Sequence, residues 1–235
     1  EVLQARFAAA CWCEEISTYA LALDGDKRPC RVRTSNAGHC LYAGIATDAH
    51  ARRVAATLTS EASFSGWGVR TVAAGEARYN PMSYHNGSVW PHDNALIAAG
   101  LARYGFKAEA ARILTGLFDA TLFLDLHRLP ELFCGFPRRP GEAPTQYPVA
   151  CSPQTWAAAA VFLLLESCLG IKVQGCERRV VLTYPHLPAW LRTVEIRNLQ
   201  IGEASLNLVA TRHEEGDVSV NVTRRQGETE VMIVK

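Results

Sequence analysis

Tyr79-Asn-Pro-Met-Ser-Tyr84-His-Asn-Gly-Ser-Val-Trp90-Pro-His-Asp-Asn94 is the stretch on which the reading of this chain turns. It crowds Tyr, His, Asn, Ser, Trp and Asp side chains between two prolines and one glycine, then runs directly into an alanine-rich apolar segment. Such a stretch is suited to a polyhydroxylated ligand. Sugar rings lay their C–H faces on Trp or Tyr, while their hydroxyls need both donors and acceptors. An ordinary loop, with its polar groups used as caps and its Trp in the core, is the plainer alternative.

Working outward, Pro91 falls where the first residue of a helix belongs, and Asp93 sits favourably against the positive helix end. The helix is expected to run to Tyr104 and stop at Gly105. Its return partner is read from Lys107 to His127 on a stripe of Ala111, Leu114, Phe118 and Leu122, with Ile113 and Leu117 beside it. Upstream, Ser35 is read as the cap of a helix over Asn36 to Ala46, and Asp48 of another over Ala49 to Thr59. Glu1 to Trp12 has helical spacing, and the chain opens without Met or a cap, as a fragment would. Tyr19 to Leu23 and Cys30 to Arg33 flank Asp24-Gly25 as a short hairpin. Downstream, Ser152 and Pro153 should open a helix from Trp156 to Leu169 with no polar face, a pattern that predicts burial on every side. From Lys172 onward five short alternating strands are expected.

These periodicities predict a mainly α chain of six helices over residues 1–170, followed by a small antiparallel β domain over 171–235. Helices that alternate in direction should begin at one common end at Asn36, Pro91 and Ser152. The loops before them, about Ile16–Ser35, Ser60–Trp90 and Arg128–Cys151, then converge on one face, as at a site carried by a rigid scaffold. In the third loop Glu131 is fixed between Pro130 and Leu132-Phe133. A carboxylate held there suits a general base; an ion pair with Arg128, Arg138 or Arg139 is the bland alternative.

Net charge is +1 and half the residues are apolar. No basic footprint for nucleic acid or an anionic membrane is present, and the longest apolar run, Ala157 to Leu165, is too short to span a bilayer. Eight scattered cysteines without a CxxC pair point to a reduced, cytoplasmic setting. His39-Cys40, Cys11-Trp-Cys13 and the His85/His92 pair lack metal-ligand spacing, and no cofactor is expected.

Tyr84-His-Asn-Gly-Ser-Val-Trp-Pro91, Leu129-Pro-Glu-Leu-Phe-Cys-Gly135 and Ser152-Pro-Gln-Thr-Trp-Ala157 resemble, in order, the last three signature blocks of the amylo-α-1,6-glucosidase family, the glucosidase part of glycogen debranching enzymes. The resemblance covers residues 1 to 170. It implies the C-terminal half of an (α/α)6 toroid and inverting hydrolysis of α-1,6-glucosidic linkages in an oligosaccharide or glucan. Glu131 takes the place of the family's general base, and Tyr84, His85, Asn86 and Trp90 that of its glucose subsite. His92, Asp93 and Trp67 join the candidate ligand contacts by their position in the same loops.

The family's general acid, an Asp in an upstream block, has no counterpart here. Inverting hydrolysis needs two carboxyls roughly 6.5–9.5 Å apart. The expectation is therefore a fragment whose acid lies outside the chain, and whose six helices leave an apolar wall for the missing N-terminal half or a second copy. Two other readings remain at this stage: a non-catalytic carbohydrate-binding or half-barrel assembly module, and a polysaccharide lyase using Tyr84, His85 and Asn86.

Overall fold

The computed structural model describes residues 1–235, which fall into two units, Glu1–Leu164 and Leu165–Lys235. The first holds α1 (Val2–Cys11), the two-residue strands β1 (Trp12–Cys13) and β2 (Thr18–Tyr19), α2 (Asn36–Ala43), α3 (Asp48–Leu58), α4 (Pro91–Arg103), α5 (Lys107–Thr121) and most of α6 (Thr155–Leu169). The second holds β3 (Ile171–Gln174), β4 (Arg179–Thr183), β5 (Thr193–Ile201), β6 (Ala204–Arg212), β7 (Val218–Gln226) and β8 (Glu230–Val234). Six helices and eight strands make the chain mixed rather than mainly α. No helix is long and apolar enough to cross a membrane.

Small residues set the helix packing. α2 lies against α4 so closely that a Cβ on Gly100 would sit 2.6 Å from the Tyr42 backbone nitrogen. Helix ends follow local chemistry, with differences from the sequence reading. Thr47, not Asp48, caps α3, its hydroxyl accepting from the His50 backbone N–H at 3.3 Å. α5 ends at Thr121, six residues early: the backbone is extended at Leu124, and Leu126 and His127 follow at positive φ. Its buried stripe holds Ala111, Ile113, Leu114 and Leu117, while Phe118 and Leu122 face outward. The Asp24 turn forms a Leu23–Pro29 bridge, and its left-handed residue is Lys27 rather than Gly25.

α6 carries the largest correction. Ala157, Ala160 and Leu164 are buried, but Trp156, Val161 and Phe162 are exposed, Phe162 by 76%. An apolar surface on all sides of a helix calls for neighbours on all sides, and this chain supplies them on one.

The loops before α2, α4 and α6 are joined by single-residue bridges: Thr34 to Val72, Arg70 to Val89, Val89 to Phe133, and Phe133 to Gln146. Arg70 fastens this belt from beneath. Its buried guanidinium donates to the carbonyls of Gly135, Glu61 and Ala62 at 2.7–3.1 Å.

In the second unit β5, β6 and β7 form one antiparallel sheet, with small register shifts at Ile196/Leu199 and Asn207/Leu208. β3, β4 and β8 form another, in which β4 and β8 are parallel, Arg179 facing Glu230. The expected purely antiparallel cap is thereby corrected. A parallel pair needs a long crossover, and the β5–β7 sheet lies within that connection. Val180, Leu182, Ile201, Leu206 and Leu208 build its core.

Candidate active site

The first turns of α2, α4 and α6 wall one cavity of about 520 Å³, to which they contribute Asn36, His92 with Asp93, and Trp156. The belt closes it with Thr34, Thr71, Val72, Tyr84, His85, Asn86 and Trp90. The three loops thus meet at one end of the helices.

Aromatic rings form one side of the cavity. Tyr84 packs edge-on against His85, Trp90 and Tyr147, with centroids 4.6, 4.8 and 5.5 Å away. His85 is parallel to Trp90, and Trp156 stacks on His92 at 4.6 Å. Trp90 is itself immobilised: its indole N–H donates to Ser88 Oγ at 2.9 Å and to the Tyr84 carbonyl at 3.2 Å.

Glu131 stands behind Tyr84 at the cavity's margin rather than in its lining. It is 7% exposed. The Tyr84 hydroxyl donates to Oε1 at 2.7 Å, and the Cys151 backbone N–H to Oε2 at 3.2 Å. The Glu131 N–H in turn donates to the Cys151 carbonyl at 2.9 Å, so that one residue of the third loop grips both ends of the glutamate. The Tyr84 bond, helped by the Cys151 N–H, the Gln154 side chain and nearby His92, holds the carboxyl below its ordinary range against the opposing effect of burial. Hydrogen bonds to the charged form lower a carboxyl pKa, so Glu131 is ionised at neutral pH. Tyr84, bonded to that carboxylate, is pushed up to about 12 and stays a donor. Neither Arg138 nor Arg139 pairs with Glu131; they bond Asp119 and Glu142.

Two glycines from separate blocks make the approach of these loops possible. Gly135 backs onto Gly87 so tightly that a Cβ on Gly135 would fall on the Gly87 carbonyl oxygen. Gly87 itself has φ 148°, in the region that favours glycine.

Of the candidate ligand contacts, Tyr84, His85, Asn86, Trp90, His92 and Asp93 line the cavity. Trp67 does not. It is buried against Phe123 and beneath the Arg138 guanidinium, with its carbonyl over Gly116, and so supports the scaffold. Sequence reasoning assigned no role to Tyr147 or Trp156, although Trp156 stands in the third signature block. Thr34, Thr71 and Val72 carry no motif; only loop convergence could have indicated them.

Helix pairs opening at a common end onto an aromatic cavity, with a fixed, ionised carboxylate at its margin, have the arrangement of an (α/α) toroid. Comparison with known proteins gives the family. Residues 1–123, just over half of the chain, match the family model described as the mannosylglycerate hydrolase MGH1-like glycoside hydrolase domain. The chain belongs to that glycoside hydrolase family.

Among solved structures, the GH63 mannosylglycerate hydrolase from Thermus thermophilus, in complex with Tris, has a similar fold at 22% identity and TM-score 0.50, over 68% of this chain and 36% of that one. A GH78 rhamnosidase from Bacillus sp. GL1 matches 99% of this chain and 22% of its own at 18% identity and TM-score 0.62. The neutral trehalase of Saccharomyces cerevisiae matches 70% of this chain and 29% of its own at 17% identity and TM-score 0.52. This chain thus spans about a third or less of the length of each. No curated protein matches it in sequence.

Proposed function

We propose that this glycoside hydrolase chain carries the general-base half of an inverting active site for a neutral α-linked glucoside, of the α-1,6 branch type. The observation that carries the reading is the Tyr84–Glu131 hydrogen bond of 2.7 Å at the edge of an aromatic cavity. A carboxylate offers about four acceptor positions. Tyr84, the Cys151 N–H and Gln154 occupy three, which leaves one for a water.

In this reading a glucosyl ring lies against Trp90 and Trp156, with His85 and Asn86 at its hydroxyls. A water donates one proton to Glu131 as its oxygen bonds to the anomeric carbon from the face opposite the leaving group. The bond to the leaving oxygen breaks while that oxygen gains a proton from an acid supplied by barrel helices outside this chain. One proton enters Glu131 and one leaves the acid, and the anomeric centre inverts. We also propose that the same complementing helices cover Val161 and Phe162 on α6. The eight free cysteines fit a reducing, cytoplasmic setting.

The three signature blocks support the α-1,6 linkage. The absence of Lys or Arg from the cavity lining supports a neutral leaving group over an anionic one such as glycerate, and argues equally against a lyase acting on uronate polymers. The test is hydrolysis of isomaltose and of α-mannosylglycerate by the enzyme that carries this chain, with and without Glu131→Gln. Cleavage of isomaltose that falls by about 10²–10⁴ in the variant is expected for loss of a general base. A variant near wild-type rate would remove Glu131 from the role, and preference for mannosylglycerate would remove the linkage.

A further inference from the structure

Buried polar groups without a hydrogen-bond partner are few in folded proteins, and each needs a reason. Five side-chain atoms of this chain are of that kind, and three of them, Thr34 Oγ1, His92 Nδ1 and Asp93 Oδ2, belong to residues that line the one cavity already described. Asp93 is the most telling because it is an acidic side chain and only 9% exposed. Its Oδ1 accepts from His39 Nε2 at 2.6 Å, so the carboxylate is clamped from the α2 side while its second oxygen goes without a donor.

The helix dipole favours an acid where Asp93 stands, in the first turn of α4, but it supplies no donor to Oδ2. The next residue shows the contrast. Asn94 accepts from the Val69 N–H at 2.6 Å and donates to the carbonyls of Val69 and Trp90, both at 3.0 Å, which pins the belt to the helix. Asn94 is structural and fully used, whereas Asp93 is half used. Nor does the cavity offer a cation, since it is lined by no Lys or Arg. His92, which flanks Asp93, is pushed by burial toward its neutral form.

From these contacts we propose that Asp93 is a specificity-determining residue: its Oδ2 accepts a hydroxyl proton from the sugar ring held on Trp90 and Trp156, with Thr34 and His92 beside it and His39 holding the carboxylate in place. This rests on the carbohydrate reading of the cavity and sharpens it, because an acceptor-only atom demands a donor at one defined ring position. A hydroxyl at that position is recognised; a fluorine, which cannot donate, is rejected. Asp93 lines the cavity, whereas Glu131 lies outside its lining and meets Tyr84.

The test is calorimetric titration of the enzyme that carries this chain with D-glucose and its 2-, 3-, 4- and 6-deoxyfluoro analogues, repeated with Asp93→Asn. In the wild type, fluorine at one position should weaken binding at least about tenfold, as expected when a charged acceptor loses its donor. In Asp93→Asn that position should become indifferent, because the Asn amide can meet fluorine with its own donor. If every fluoro analogue binds wild type as D-glucose does, the inference is overturned without recourse to any variant. If Asp93→Asn folds, by its thermal melt, and keeps the wild-type profile, the inference is likewise overturned and the carbohydrate reading stands. If D-glucose does not bind wild type, both fall together.

Discussion

The hydroxyl of Tyr84 and the carboxylate of Glu131, 47 residues apart in sequence, are joined by a hydrogen bond of 2.7 Å. It is the largest influence holding Glu131 ionised. Tyr84→Phe removes that bond and keeps the ring among His85, Trp90 and Tyr147. The Glu131 pKa should then rise, and the acid limb of the pH–rate profile should move to higher pH, with a rate loss of about tenfold at the optimum, short of that for removing the base itself. A profile measured from pH 3 to 8 checks it; an unmoved acid limb would separate Tyr84 from the base.

Trp156 is the ring to remove if stacking is to be separated from stability, because it is 44% exposed whereas Trp90 is 7% exposed and packed against four other rings. Trp156→Ala should weaken oligosaccharide binding about tenfold, the scale of one lost aromatic contact, with little change in melting temperature. Calorimetry and a thermal melt on the same samples decide it.

Gly135→Ala places a methyl group on the Gly87 carbonyl. Backbone cannot yield as a flexible side chain does, so the cost should reach about 3 kcal/mol, the upper end for overpacking. A melting temperature lower by roughly 6–12 °C follows for a domain of this size. Gly105→Ala, where nothing stands near the added Cβ although φ is 85°, is the control for backbone strain alone.

His39 has its pKa raised, chiefly by its hydrogen bond to Asp93. A group whose folded pKa is raised contributes stability that is fully present below its unfolded value and is lost as pH rises through the folded one. Stability should therefore fall as pH climbs from the ordinary histidine range through the higher folded value. Asp93→Asn should flatten that dependence. Melting temperatures from pH 5.5 to 9 measure it, and an unchanged slope in the variant would show that the bond to Asp93 is not what raises the His39 pKa.

Much of this was legible in the chain itself. Alternating helices with turn residues at their ends indicated that three N-termini share one end, and the cavity walled by Asn36, His92 with Asp93, and Trp156 is the outcome. Glu131 was legible because prolines and apolar neighbours bracket it. Its partners were not, since Tyr84 and Cys151 reach it only through a belt of single-residue bridges that leave no periodic trace. Trp67 misled because a Trp in a Gly-rich loop fits a ligand platform and a buried wedge equally well. The parallel pairing of β4 with β8 was hidden because alternation marks a strand's faces and says nothing of its neighbour. Apolar periodicity in α6 indicated a surface that needs covering, and the exposed Phe162 shows that this chain does not provide the cover.

The central claim is that Glu131 activates water at one face of an α-linked sugar. In the enzyme that carries this chain, Glu131→Ala clears the space for a small nucleophile that needs no base, and azide should restore turnover of an activated α-glucosyl fluoride. The product, examined by proton NMR, should be the β-glucosyl azide, formed by a single inversion. An α-configured azide, or a variant that hydrolyses the substrate at near wild-type rate without azide, would contradict the account.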